Sequence, residues 1–116
     1  MTVRELAAAL GLEALTGDIN LDRQAGSGYT SDLLSDVIAN IGDEAVWITI
    51  QRHINILGVA KLKEVSAIII PRDLALEEAF LVKAREEGIA ILRGSSSAFE
   101  LSALVYNALK RGQAVA

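Results

Sequence analysis

The chain has 116 residues, of which 52% are hydrophobic and only 4% aromatic. Fifteen acidic side chains outweigh eleven basic ones, for a net charge of −4, and the basic residues are scattered rather than gathered in the stripe that a nucleic-acid surface needs. Cysteine is absent, which excludes disulfides, thiolate metal sites and cysteine nucleophiles.

This length fits one domain spanning residues 1–116. A mean hydropathy of +0.37 supplies a real core, and its aliphatic character suits parallel strands buried on both faces. No apolar run is long enough for a membrane span. The opening "MTVRELAAALGL" lacks the basic leader and long apolar block of a signal peptide. These features point to a cytoplasmic domain bound to neither membrane nor nucleic acid, with no cofactor and no metal.

The first helix is expected over residues 3–10. Thr2 and Glu5 stand at capping-box spacing and Gly11 ends it. Residues 12–16 can form a short strand. Residues 17–30 are long for a plain connection, so a short strand near residues 24–28 or a functional loop is expected there. A second helix follows, with Leu33, Leu34, Val37, Ile38 and Ile41 on one face and Asp32, Asp36 and Asn40 on the other. Gly42 and Asp43 form a turn.

From there strands and helices alternate. Strands are expected at residues 45–50, 67–70 and 89–92, and helices at about 55–64, 74–87 and 98–110. Gly88 and Gly112 stand where helix C-caps belong. Repeated βαβ units mean an α/β domain with a mainly parallel sheet of four or five strands and helices on both faces. Ligands of open parallel sheets bind beyond the strands' carboxyl ends, here residues 51–55, 71–73 and 93–97.

Three stretches carry candidate chemistry. "GSGYTSDLLSD" (residues 26–36) is rich in glycine and hydroxyls, yet Ser31 replaces the third glycine of a dinucleotide fingerprint and no P-loop lysine follows. Asp32 and Asp36 oppose an anion, since two like charges about 4 Å apart repel by roughly 1 kcal/mol even in water. The stretch reads either as a turn with an N-cap at Thr30 or Ser31, or as a ligand loop through Gly26, Ser27 and Gly28. In "TIQRHIN", Thr49, Gln51, His53 and Asn55 alternate with apolar residues where a central strand meets its helix. They could contact a ligand, or His53 could serve as a general base; equally, Asn55 could simply cap the helix. In "RGSSSAFE", Ser97 and Glu100 have capping-box spacing, while Ser95 and Ser96 could donate to an anion beside Arg93.

Taken jointly, "LDRQAGSGYTSDLLSDVIAN", "WITIQRHINILGVAKLKEVSAIII" and "GIAILRGSSSAFELSALVY" resemble the DRTGG domain. The likeness covers nearly the whole chain and is strongest over residues 21–40 and 47–60. In the name-giving motif Asp22, Arg23 and Gly26 match, whereas Gln24 and Ala25 replace the threonine and the first glycine. The resemblance implies a regulatory module with a fold similar to the N-terminal domain of HPr kinase/phosphorylase. Such domains are attached to phosphate acetyltransferases and lie between CBS domains in pyrophosphatases; short versions are encoded near iron-only hydrogenases. It also implies homodimers and a hydrogenase- or phosphotransfer-associated partner enzyme. A kinase activity is not expected, because no P-loop or nucleotide-phosphate lysine is present.

The sequence therefore leads to a small regulatory or ligand-sensing homodimer that takes a small anion or nucleotide. The ligand is expected against Thr49, Gln51, His53 and Asn55, with Ser95, Ser96, Ser97 and the Gly26–Ser27–Gly28 loop nearby. The alternatives are an enzyme using His53 as general base near Ser35 or Thr49, and a purely structural interaction domain.

Overall fold

A computed structural model describes residues 1–115. Its elements follow in the order α1 (Val3–Leu10), β1 (Glu13–Ala14), β2 (Ser27–Thr30), α2 (Leu34–Asn40), β3 (Ala45–Ile48), α3 (Asn55–Leu62), β4 (Ala67–Ile70), α4 (Glu78–Glu86), β5 (Ile91–Arg93) and α5 (Ala98–Val115). The Thr2–Glu5 capping box forms at the start of α1, and Gly11 closes that helix in the left-handed region at φ 65°, which glycine adopts without a Cβ penalty.

One five-stranded sheet has the order β1-β5-β4-β3-β2. β2, β3, β4 and β5 are parallel, and only the two-residue β1 runs antiparallel, with Glu13 opposite Arg93. β3 and β4 are buried along their whole length, as central strands covered on both sides must be.

From β2 to β5 each crossover steps one strand in the same direction. Crossovers of one hand then put their helices on one face. Accordingly Val37 of α2 with Ile41 just after it, Ile56 and Ala60 of α3, and Phe80 and Ala84 of α4 share one core with Trp47, Ile68 and Ile91. α1 and α5 cover the other face, where Val3, Leu6, Leu101 and Val105 meet Val46, Ile48, Ile69 and Leu92. Among the described residues no helix is long and apolar enough to cross a membrane.

Several boundaries differ from the sequence expectation. The glycine-rich stretch is not a loop: Ser27–Thr30 pairs residue for residue with Ala45–Ile48 as an edge strand. α2 therefore starts late, at Leu34, and neither Thr30 nor Ser31 is its N-cap; that position is Leu33, without a side-chain bond. Starting late also breaks the expected apolar face, leaving Leu33 65% and Ile38 41% exposed while Val37 is fully buried. α5 continues through Gly112 to Val115, so that glycine does not end it. α4 begins only at Glu78, because residues 71–77 are occupied as a loop.

Candidate functional site

At the carboxyl end of β2 and β3 the expected site residues are bound to one another. The Asp32 carboxylate accepts from the Thr49 hydroxyl at 2.8 Å and from the Ile50 N–H at 2.9 Å. The Gln51 amide donates to the Asp32 carbonyl at 2.9 Å, and the Gln51 N–H donates to the Thr49 oxygen at 3.1 Å. Thr49 is buried to 1% exposure, so this knot satisfies a hydroxyl that would otherwise be costly to bury. His53 and Asn55 are exposed. The expected cap is exchanged: Asn55 is the first residue of α3, and its N–H donates to His53 Nδ1 at 3.2 Å.

Two strands away, Ser97 caps α5: its hydroxyl oxygen accepts from the Glu100 N–H at 3.1 Å and donates to the Glu100 carboxylate at 3.2 Å, a side-chain pair in place of the backbone half of the expected capping box. The preceding turn is pinned to the β4 exit: the Arg72 and Asp73 N–H groups donate to the Ser96 and Gly94 carbonyls, each at 2.9 Å. Arg72 and Asp73 both hold positive φ, 57° and 48°, a left-handed pair that only such tethering sustains. Arg93 does not point a free fork at Ser95 and Ser96. It donates to Glu13 at 2.9 Å and to the Leu74 carbonyl at 3.2 Å. The winding also matters, since a crevice opens where strand order reverses, and from β2 to β5 it never does.

The residues matching the name-giving motif lie at the opposite, amino end of the sheet. Asp22 pairs with Arg4 at 3.0 Å. Arg23 donates to the Glu64 and Val65 carbonyls after α3, at 2.9 and 3.0 Å. Ala25 is buried, and the Gly26 N–H donates to the Glu44 carbonyl at 2.8 Å. The segment straps α1 to the strand starts, so Gly26 is a strand's length away from the Asp32 knot.

Gly26, Ser27 and Gly28 instead line a groove of about 690 Å³ between β2 and α5. Its other wall includes Phe99, Ser102, Tyr106, Asn107 and Lys110. Gly28 lies under α5, for a Cβ there would stand 3.5 Å from Val105 Cγ1; its missing side chain leaves the space open. The Thr30 and Ser102 hydroxyls bond at 2.7 Å. Among the described residues no acidic side chain lines the groove, although the chain as a whole is acidic and Glu44 stands beside Gly26 at one end; the described lining includes the ammonium of Lys110. Lys110 Nζ sits 5.6 Å from the Tyr106 ring centre, within cation–π reach.

On the other side of β2 the Tyr29 phenol donates to Asp36 at 2.7 Å. This bond, with help from Ser31 and Asn40, holds the Asp36 carboxyl below the usual carboxylate range, and it raises the Tyr29 phenol above its own. Among the described residues no three His, Asp or Glu side chains gather to hold a metal.

The α5 wall was the part that sequence reading missed. Leu101, Val105 and Ala108 face the core, so Phe99, Ala103, Tyr106 and Lys110, spaced by four, three and four, lie on a different stripe. Two rings exposed in a chain with five aromatic residues were the available signal.

No family model and no curated protein matches the chain. Among solved structures, the fold is similar to the CBS and DRTGG domains of the regulatory region of Clostridium perfringens pyrophosphatase, a structure complexed with its activator diadenosine tetraphosphate. The TM-score is 0.70 at 16% sequence identity. The likeness covers 90% of this chain but 45% of that one, so this chain spans less than half its length. At that identity the likeness speaks for the fold: a single α/β sheet domain of the kind found in that regulatory region.

Proposed function

We propose that this chain is a regulatory module of the DRTGG kind that senses a small anionic ligand of the nucleotide class. The groove between β2 and α5 carries this reading. At about 690 Å³ it lies in the size range of small-molecule sites, which are largely apolar with a few polar groups. A groove whose described lining holds Lys110 and no acidic side chain, on an acidic chain, favours a neutral or anionic occupant. The likeness to the regulatory region of a pyrophosphatase that binds diadenosine tetraphosphate supports the nucleotide class. The strand-end cluster is the weaker place for a ligand, because Thr49 and Gln51 are spent on Asp32 and on each other.

The module would act as a homodimer and pass its signal to a partner enzyme. Leu33, Ile50 and Ile54 are 65%, 40% and 51% exposed, and Leu33 and Ile50 flank the Asp32 knot, which favours a second copy there. An enzyme with His53 as general base has less support, since His53 Nδ1 accepts from the Asn55 N–H and the Thr49 hydroxyl donates to Asp32.

Thermal unfolding with a panel of mononucleotides, diadenosine tetraphosphate, phosphate and pyrophosphate tests the reading. A ligand at a hundredfold excess over Kd stabilises by about 2.7 kcal/mol, on the order of 10 °C for a domain of this size. A flat response across the panel at millimolar concentration rejects nucleotide sensing.

A further inference from the structure

We propose that the groove is itself the nucleotide site, with the base held between Phe99 and Tyr106 and the phosphate at Lys110; this rests on the ligand-sensing reading above. Phe99, Ala103, Tyr106 and Lys110 follow one another along a single helical stripe. Phe99 is 84% and Tyr106 61% exposed, an unusual state for the two largest apolar surfaces on α5. Seven residues separate them, about 10 Å along the axis at 1.5 Å per residue. Between them stand the Ala103 methyl, also exposed, and the half-buried Ser102 hydroxyl bonded to Thr30. A flat ring stacked between two others needs about 7 Å, two contacts of about 3.5 Å each. The rise along the helix leaves room for one base, with the Ser102–Thr30 hydroxyl pair on the side of β2.

β2 supplies what would read the edge of that base. The Ser27 N–H donates to the Glu44 carbonyl and the Ser31 N–H to the Ile48 carbonyl. Along a parallel ladder every second residue points at its partner. The Gly28 and Thr30 peptide groups therefore face outward from the sheet edge, offering both donors and acceptors. The helix runs opposite to the strand, since Ser102 bonds Thr30 and Val105 stands over Gly28. The aromatic bracket thus lies beside the free peptide groups of Gly28 and Thr30, and Lys110 lies towards Gly26. That end suits a phosphate, with Lys110 already over the Tyr106 ring. Glu44 stands next to Gly26, where its carboxylate weakens phosphate binding.

Calorimetric titration of the full chain with AMP, GMP, CMP and UMP, and with adenosine and inorganic phosphate as truncated probes, tests the site. At least one mononucleotide is expected to bind more tightly than either truncated probe. Ala103→Trp fills the bracket from an exposed position and is expected to weaken binding tenfold or more. Lys110→Gln should weaken the nucleotide about fivefold and leave adenosine unchanged, Glu44→Gln should tighten the nucleotide, and His53→Ala should change nothing. Unfolding of each variant without ligand checks that the fold is kept. If Ala103→Trp binds as the wild type does, or His53→Ala abolishes binding, the groove is not the site although ligand sensing stands. If no mononucleotide binds the wild type, the assignment falls, and a flat response to the whole thermal panel takes the sensing reading with it. If Ala103→Trp instead turns a dimer into a monomer without touching nucleotide affinity, the groove is a face between copies and the assignment is overturned.

Discussion

Gly94 and Gly58 show how local surroundings set the sign of a glycine substitution. Gly94 is buried in the turn before α5, and a Cβ there would stand 2.8 Å from Leu12 Cδ2. The clash falls on the end of a mobile side chain, so Gly94→Ala should cost about 1 kcal/mol, at the low end of overpacking. Gly58 lies inside α3 with nothing within 4 Å of an added Cβ. Gly58→Ala should therefore stabilise by about 0.5–1 kcal/mol through helix propensity and a less flexible unfolded chain. Denaturant midpoints at constant m-value measure both, and equal signs would contradict the contrast. At the same scale, the bond from Tyr29 lowers the Asp36 pKa. A carboxyl lowered on folding stabilises above its unfolded pKa, near 3.9, and that contribution is lost as pH falls through the folded value. In an NMR titration Asp36 should titrate below the usual carboxylate range. Tyr29→Phe should move it back up; no movement would mean that the phenol is not the cause.

At the scale of elements, short signals were legible and pairings were not. Thr2 with Glu5 forms the capping box that its spacing announces, and Ser97 makes its half of the second one by accepting from the Glu100 N–H, because a cap needs only residues within one turn. The buried runs at Ala45–Ile48 and Ala67–Ile70 declare themselves through branched aliphatic side chains. Ser27–Thr30 does not, since Gly-Ser-Gly is poor strand material and its pairing is a gift of β3. The groove was hidden for the same reason: it exists only once α5 lies across β2, more than seventy residues away in sequence. From sequence Asp32 falls on the polar face of the second helix, because its partners, Thr49 and Ile50, come after the whole of α2. It joins the ends of two strands, so Asp32→Ala should leave the buried Thr49 hydroxyl and the Ile50 N–H without their acceptor and cost about 1–3 kcal/mol. Asp32→Asn keeps an acceptor oxygen and should cost less. Equal losses in the two variants would place the stabilisation in the charge rather than in the hydrogen bonds.

At the scale of the whole molecule, the direction of winding divides the surface. With α2, α3 and α4 on one face and α1 and α5 on the other, the exposed apolar side chains fall in separate places. Phe99 and Tyr106 border the groove, while Leu33, Ile50 and Ile54 occur at the carboxyl end of β2 and β3. Placing ligand and second copy at different patches makes them separable. Light scattering should then give twice the 12.3 kDa chain mass with or without nucleotide, and a mass of one chain at micromolar concentration would reject the dimer. Ile54→Asp, introducing a charge at an exposed position, should yield monomers that keep their fold, because burying an unpaired carboxylate between copies is costly. Those monomers should still bind nucleotide if the groove belongs to a single chain. Loss of nucleotide on dissociation would instead mean that the partner copy completes the site, and the two patches would have to be treated as one.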